Sequence, residues 1–385
     1  MIKTIEECFY QIQNGANIKQ GDFDGGFPIT RIETTANDKF NRDRMGYAGI
    51  TDISKYKSYV LEDGDLLMSH INSTQYLGRT VLYVKKSDEI IIHGMNLLRL
   101  KARRDLINPA YAKYCFYGHK FRTQIGKITK KSVNQASFAI NDLKRIKINV
   151  PSLKEQEMIV AVLDKLQNLI DLRNKEIEML NNLIKSRFIE QFENKHYQFE
   201  KLGTVCRKIT DGTHKTPTYL DEGVTFISAK NIVNGELDFA DIKHISEEEY
   251  QEIQKRCQTD IFDILLSKSG SLGSPVIVKT KEKLGLFESL AVIKYDRDRL
   301  LPEFLCEQLK TDRVQRQFKT GTKGVAIKHL HLGVIADTDI IVPPLDEQKT
   351  FAAFVSQVDK SKFAVQKALD ETQTLFDSLM QKYFG

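Results

Sequence analysis

The stretch Val150–Leu163, VPSLKEQEMIVAVL, returns near the other end of the chain as Val342–Val355, VPPLDEQKTFAAFV. The offset between them is 192 residues (342 − 150). Each copy sets a proline just ahead of a long amphipathic run, and a proline is tolerated at a helix start because the first backbone N–H groups have no partner there anyway. After Pro151 the residues Ile159, Leu163, Leu166, Ile170, Ile177, Leu180, Ile184 and Phe188 recur at three- and four-residue steps or their sums. In the second copy Phe354, Val358, Val365, Leu369, Thr372, Phe376, Leu379 and Tyr383 do the same. This near-heptad spacing predicts two long helices with a coiled-coil seam. From Glu155 to Glu190 such a helix runs roughly 50 Å at 1.5 Å per residue, the length of a spacer.

Outward from these two stretches, the rest of the chain also repeats. Asn14-Gly15 faces Asp211-Gly212 (offset 197), Gly26 faces Gly223 (197), Leu77-Gly78 faces Leu272-Gly273 (195) and Pro109 faces Pro302 (193). An offset that drifts slowly is what small loop insertions and deletions produce between two copies of one fold. Ahead of each helix lie short β-branched runs (TVLYV at Thr80, EIIIHG at Glu89, GSPVIVK at Gly273, LAVIKY at Leu290) broken by glycines and helical stretches. They predict an α+β domain with twisted antiparallel strands. The division is therefore a globular domain over 1–149, a central spacer helix over 150–196, a second globular domain over 197–341 and a C-terminal spacer helix over 342–385. If the helices pair antiparallel, the order domain, helix, domain, helix gives a pseudo-two-fold arrangement.

The composition admits this plan. A chain of 385 residues and 44.2 kDa holds two domains of ordinary size, and 41% hydrophobic with 28% charged residues is a globular balance. Five scattered cysteines (Cys8, Cys115, Cys206, Cys257, Cys306) form no CxxC pair and read as reduced structural thiols. No run of about 18 apolar residues appears, and MIKTIEECFY lacks a basic-then-apolar leader pattern, so the expected compartment is the cytoplasm, away from membranes. The net charge of +6 permits nucleic-acid binding without establishing it.

The two PxLxEQ segments (Pro151, Leu153, Glu155, Gln156; Pro343, Leu345, Glu347, Gln348), the DGTHKTPTY stretch from Asp211 with the preceding KLGTV, and a basic loop ahead of each helix (KITKKSVNQASFAINDLKRIKI from Lys127, KTGTKGVAIKHL from Lys319) resemble the specificity subunits of type I restriction-modification systems. The resemblance covers essentially the whole chain. It implies two target-recognition domains, each reading one half of a split DNA site, with helices that set the gap and dock two modification (methyltransferase) subunits. A two-fold reader suits duplex DNA, whose half-sites lie about one helical turn apart. The resemblance also implies that catalysis lies elsewhere in the complex. S-adenosylmethionine would sit on the modification subunits, ATP and magnesium on restriction and translocase subunits, and no cofactor on this chain. The first copy starts at NGANIKQ and lacks the TH of THKTP, which loosens residue-level transfer there.

Motifs for catalysis on the chain itself are missing. Asn108-Pro109-Ala110-Tyr111 and Thr216-Pro217-Thr218-Tyr219 lack the second proline of an adenine-methyltransferase loop, and the first reads as a proline-started helix. There is no GxxxxGK(S/T) and no Pro-Asp dipeptide, and His329 with His331 has no Cys or carboxylate at ligand spacing. A coiled-coil adaptor without DNA specificity is the alternative reading, and a self-sufficient methyltransferase or nuclease a third.

DNA affinity comes from lysine and arginine at phosphates, and specificity from forked or amide side chains at base edges. Loops with both kinds supply the candidate DNA-binding residues. In the first domain these are Arg31, Thr34, Thr35 and Asn37, then Asn72, Gln75 and Arg79, then Lys130, Lys131, Asn134 and Gln135. In the second they are Thr213, His214 and Lys215, Lys230 and Asn231, Lys268 and Ser271, and Lys319, Thr322 and Lys323. Arg31, Asn72, Gln75 and Asn231 are the candidates for base contacts. Arg173, Lys175 and Glu176, placed opposite the seam, are candidates for docking partners.

Overall fold

The computed structural model describes residues 1–21, 23, 25–132, 135–321 and 329–385. Its contacts separate into two units, Met1–Asn174 with Lys367–Gly385, and Lys175–Gln366. Each unit thus holds one globular domain, one stretch of the central helix Leu153–Phe188 and one stretch of the C-terminal helix Leu345–Phe384. The fold class is α+β, as the sequence pattern requires.

In the first unit four antiparallel strands lie in the order Phe9–Asn14, Leu97–Ala102, Leu66–Ser69, Thr80–Leu82. The central strand Leu66–Ser69 is buried on both faces, so its sequence LLMS shows no polar alternation. Leu66 and Met68 face a core shared with Tyr111, Phe116 and Phe121 of the helices Pro109–Tyr117 and His119–Ile128. Leu67 points the other way, into a second cluster with Leu61, Val81, Tyr83, Ile91 and Leu97, as the period of two along a strand dictates. Asn108 caps the helix at Pro109 by accepting from the Ala110 and Tyr111 amides.

The second unit repeats this sheet in the order Cys206–Asp211, Leu290–Tyr295, Ile264–Ser267, Pro275–Ile277. Ile264 and Leu266 face Phe304, Leu305 and Phe318, while Leu265 joins Val276, Leu290 and Val292 on the other face. A further three-stranded sheet, Lys243–Ile245, Val224–Ile227 and Leu284–Leu286, belongs to this unit.

Two glycine positions mark the repeat at atomic level. A Cβ on Gly15 would lie 1.9 Å from the Gly94 carbonyl oxygen, and one on Gly212 would lie 2.1 Å from that of Leu286. Both glycines let the first sheet strand run on against a parallel neighbour, in the bridges Ala16–Gly94 and Thr213–Phe287.

The PxLxEQ glutamines explain why the motif occurs twice. Gln156 is fully buried; its Nε2 donates to the carbonyls of Leu106 (3.0 Å) and Pro151 (2.9 Å), and its Oε1 accepts from Asn108 N (2.8 Å). Gln348, also fully buried, donates to Arg299 O and Pro343 O and accepts from Leu301 N (2.8, 2.8 and 2.9 Å). In each unit one amide ties the start of a long helix to the loop ahead of the proline-started helix. The motif glutamates differ. Glu155 forms a capping box with Ser152, while Glu347 accepts from Lys195 Nζ and Tyr197 OH.

The seam residues named from the sequence are all buried or half-buried. In the second unit the helices run antiparallel, with Gln191 facing Glu347 while Arg187 faces Phe354. Phe188, Phe192, Phe304 and Phe351 pack there as an aromatic cluster, every pair among them within 6.3 Å between ring centroids. In the first unit Phe376 meets Tyr114 and Phe384 meets Tyr111. Arg173 does not point outward as supposed. Its guanidinium bonds the Ala368 carbonyl, whereas Lys175 and Glu176 are exposed.

Replacing Gln348 by Leu strands Leu301 N, Arg299 O and Pro343 O in the interior. The expected loss is about 3 kcal/mol, set by the penalty for buried polar groups without partners, and urea unfolding of the full chain measures it.

Candidate nucleic-acid interface

The loops singled out in the sequence gather at one end of each sheet. In the first unit the register sets Asn14 opposite Leu98, Ser69 opposite Leu97 and Met68 opposite Thr80. The connections after Asn14, between Ser69 and Thr80, and before Leu97 therefore leave from the same edge. A small sheet then joins two of the candidate loops, with Ala136–Ser137 pairing on one side with Ile71–Asn72 and on the other with Lys130–Lys131. The third loop is tied in by Asp38, whose carboxylate lies 2.8 Å from Arg79 Nε. Arg79 in turn stacks over Tyr76 at 4.5 Å.

Lys130, Lys131, Gln135, Gln75 and Asn37 are exposed, and Arg31, Asn72 and Arg79 half-buried. Arg31 Nε donates to Gln20 Oε1 at 2.6 Å. The Asn72 amide is partly engaged, donating to Ser69 Oγ and accepting from Ser73 N. Burial corrects two expectations here. Thr34 and Thr35 are inside the domain, where Thr34 Oγ1 accepts from Arg31 N and donates to Arg44 O, and Thr35 Oγ1 donates to Ile32 O. Their hydroxyls shape the loop and are not offered to solvent. Arg122, which the sequence reading passed over, donates to the Leu77 carbonyl and holds the 69–79 loop from below.

In the second unit the gathering point is Lys268. Its backbone N donates to Ser289 O and its carbonyl accepts from Leu330 N, while Ser289 Oγ accepts from Ala229 N. Its ammonium lies 2.5 Å from Asp211 Oδ2, with both side chains almost fully buried. Candidate loops that are far apart in sequence thus converge. Asp211 Oδ1 also accepts from Arg256 Nη2 at 2.5 Å, and His214 sits between Asp211 (3.3 Å) and Glu288 (2.7 Å). Burial works against the charged form of Asp211, yet the Lys268 and Arg256 hydrogen bonds hold its carboxyl below the usual range.

His214, Lys215, Lys230, Ser271 and Lys319 are exposed, and Thr213 is half-buried. Lys230 pairs with Asp241 at 2.9 Å. Two expectations are corrected. Asn231 is buried, donating to Asp238 O and Asp241 O and accepting from Ser228 N, so its amide is consumed by its own turn. The Lys268 ammonium is likewise spent on Asp211. Asn134, Thr322 and Lys323 lie outside the described residues. Arg256 and Glu288 went unremarked in the sequence. Arg256 ends the charge-rich helix Glu247–Arg256, where nothing distinguishes it from a solvated cation.

Among the described residues no three His, Cys, Asp or Glu side chains assemble as a metal would need, and no helix is long and apolar enough to cross a membrane.

A sequence profile described as the type I restriction modification DNA specificity domain matches twice, over residues 2–182 and 194–372. The chain belongs to that family. It is a specificity subunit of a type I restriction-modification system. Among its relatives is a Methanocaldococcus jannaschii protein named for the MjaX specificity subunit, 29% identical over 97% of this chain and 92% of that one. Another is the EcoKI specificity subunit of Escherichia coli, 24% identical over 49% of this chain and 41% of its own length. The fold is shared with the crystal structure of a type I system S subunit from M. genitalium, at TM-score 0.57 and 15% identity, covering 100% of this chain and 96% of the other. A structure titled for complex assembly and conformational transition of the type I system matches at TM-score 0.54 and 16% identity, covering 100% and 97%.

The subunit's first unit has a pH liability near its loops. Burial lowers the His70 imidazole to about 4. Burial, aided by Arg99, lowers His93 to about 3. Both are neutral in the folded chain, and the unfolded chain takes up their protons near the ordinary value of about 6.5. Their contribution is therefore complete above about pH 6.5 and is lost as pH falls toward 4, at up to about 1.4 kcal/mol per pH unit for each histidine. Urea unfolding across that range should show the loss, and His70→Gln should make it shallower.

Proposed function

We propose that each unit reads one half of a bipartite DNA site, that the helices set the gap between the halves, and that they dock two modification subunits. The observation that carries this reading is the repetition of one four-stranded sheet whose polar and basic loops gather at the same edge in both units. The scaffold repeats while the loops differ, as a reader of two unlike half-sites requires. Lys130, Lys131, Lys215 and Lys319 would then supply phosphate contacts, and Arg31, Asn72, Gln75 and Arg79 would meet base edges. The subunit works in the cytoplasm and catalyses nothing itself. S-adenosylmethionine, ATP and magnesium belong to the modification and restriction subunits. The adaptor reading without DNA specificity has no support from the relatives.

Docking through the helices is supported by apolar side chains outside the seam. Leu172 and Leu375 in the first unit, and Met179, Leu183 and Phe363 in the second, are all about half exposed or more, Phe363 reaching 74%. Leu183 and Leu375 hold equivalent places, 192 residues apart (375 − 183). Met179 and Leu183 lie one turn apart on the same helix face, and exposed apolar side chains grouped in this way support a surface that a partner covers.

Methylome sequencing of cells carrying the subunit with its modification subunits tests the reading. Exchanging residues 197–341 for another version should change one half of the methylated motif and leave the other intact; an unchanged motif would end the half-site assignment. Lys130→Ala with Lys131→Ala should keep the motif and lower the slope of log affinity against log salt by about 1.8, near 0.9 per phosphate contact. Leu172→Asp with Phe363→Asp should weaken co-purification of the modification subunits by about tenfold or more, with helix content by circular dichroism unchanged.

A further inference from the structure

The charged cluster at the loop edge of the second unit is absent from the first, although the backbone beneath it is the same. The equivalences follow from hydrogen bonds. Glu288 N donates to Thr213 O as Met95 N donates to Ala16 O, and Leu330 N donates to Lys268 O as Phe138 N donates to His70 O. Together with the paired glycines Gly15 and Gly212, these bonds set Asp211 against Asn14, His214 against Asn17, Lys268 against His70 and Glu288 against Met95. Arg256 falls at Ser58 by the 198-residue offset of the adjoining turns (263 − 65). Five polar or charged positions in one unit correspond to five uncharged ones in the other, His70 being held neutral by burial.

We propose that Arg256 is a guanine-reading residue of the second unit and that the buried Lys268–Asp211 pair is the device that positions it. The inference rests on the half-site reading above. A surface that grips phosphate needs only cations, and carboxylates there oppose binding. This edge instead carries Asp211 beneath Arg256 and Glu288 beside His214. Asp211 is too enclosed to meet a base itself, so its use at this edge is to hold the guanidinium of Arg256. Arg256 gives Nη2 to Asp211 Oδ1 at 2.5 Å, its side chain is about half exposed, and its Nε and Nη1 make no hydrogen bond among the described residues, so those donors remain for a guanine edge. Asp211 is itself fixed from inside by Lys268, which accounts for a lysine buried to 3% at the tip of a DNA-reading domain. Without Lys268 the carboxylate would be a buried charge lacking its main partner, and it would move or take up a proton. His214, braced by Glu288, closes the other side and also approaches Arg256, at 3.3 Å. Arg256 is thus the group that meets the base, while Lys268 and Asp211 act through it.

The test uses the intact subunit assembled with its modification subunits, with methylome sequencing and competition binding to duplexes in which each base of the half-site is varied in turn. Arg256→Ala should relax one guanine position, in the half assigned to residues 197–341 by the domain exchange. It should also lower discrimination there by roughly 5- to 150-fold. Arg256→Lys, which keeps the charge and loses the fork, should relax the same position with less effect on overall affinity. Lys268→Met combined with Asp211→Asn removes both buried charges together and should relax that position too. Several results overturn the proposal. Arg256→Ala with an unchanged motif and uniformly weaker binding makes Arg256 a phosphate contact. A double variant that lowers thermal stability or yield without altering the motif makes the buried pair purely structural. If the domain exchange itself leaves the motif unchanged, the half-site reading fails, and that result is separate from the behaviour of Arg256.

Discussion

Everything else in each unit is arranged around one buried amide. Gln156 and Gln348 are fully enclosed, and each makes two donor bonds and one acceptor bond to backbone groups that would otherwise be stranded. A buried polar group satisfied in this way specifies geometry more strictly than an apolar contact, because any shift leaves several partners unpaired at once. The bonds join the first turn of a long helix to the loop that launches the proline-started helix on the sheet. Sheet, short helices and long helix consequently form one body in each unit. The proline that opens the motif offers its carbonyl to this amide in both copies.

On this frame the two units differ where it matters for reading. The sheet order, the glycines that let the first strand run against its parallel neighbour, and the positive-φ turns at Gly78 and Gly273 are the same in both. What differs is the chemistry at the loop edge, with exposed Lys130, Lys131, Gln75 and Asn37 in one unit, and His214, Lys215 and the Asp211 cluster in the other. A rigid scaffold with exchangeable loops is the usual division of labour in recognition proteins, and an internal repeat lets one chain carry two unlike readers.

Much of this architecture was legible in the residues, for identifiable reasons. Long helices announce themselves by period, and the seam positions from Ile159 to Tyr383 proved buried or half-buried. The sheet was only partly legible. TVLYV and LAVIKY do contain strands, whereas EIIIHG contributes isolated bridges at Ile92 and Gly94 and no regular strand. The central strands Leu66–Ser69 and Ile264–Ser267 escaped notice because burial on both faces erases alternation. At the site, residue type identified the right loops and misjudged several members. Thr34, Thr35 and Asn231 are polar residues at loop bends, where polarity serves a turn's own hydrogen bonds as readily as solvent, and the Lys268 ammonium is taken by Asp211, 57 residues away in sequence. Arg256 was invisible because its partner Asp211 lies 45 residues away in sequence.

The positions of the ion pairs separate scaffold from reader. Both units carry an acid-capped turn ahead of the central strand. Asp65 accepts from Glu62 N, and Asp263 accepts from Asp260 N, each at 2.8 Å. Both turns also meet a lysine at equivalent places, Lys101 on Glu62 and Lys294 on Asp260 and Asp263. These charges are shared because they hold a turn that both copies need, at the sheet end away from the gathered loops. The Lys268–Asp211 pair has no counterpart in the first unit, where His70 and Asn14 stand. Buried ion pairs add little net stability compared with apolar packing of similar volume, since desolvation offsets most of their attraction. The first unit folds its version of the same edge without one, so the fold itself does not require this pair. What a buried pair does supply is direction, and at this edge the group it directs is the half-exposed guanidinium of Arg256.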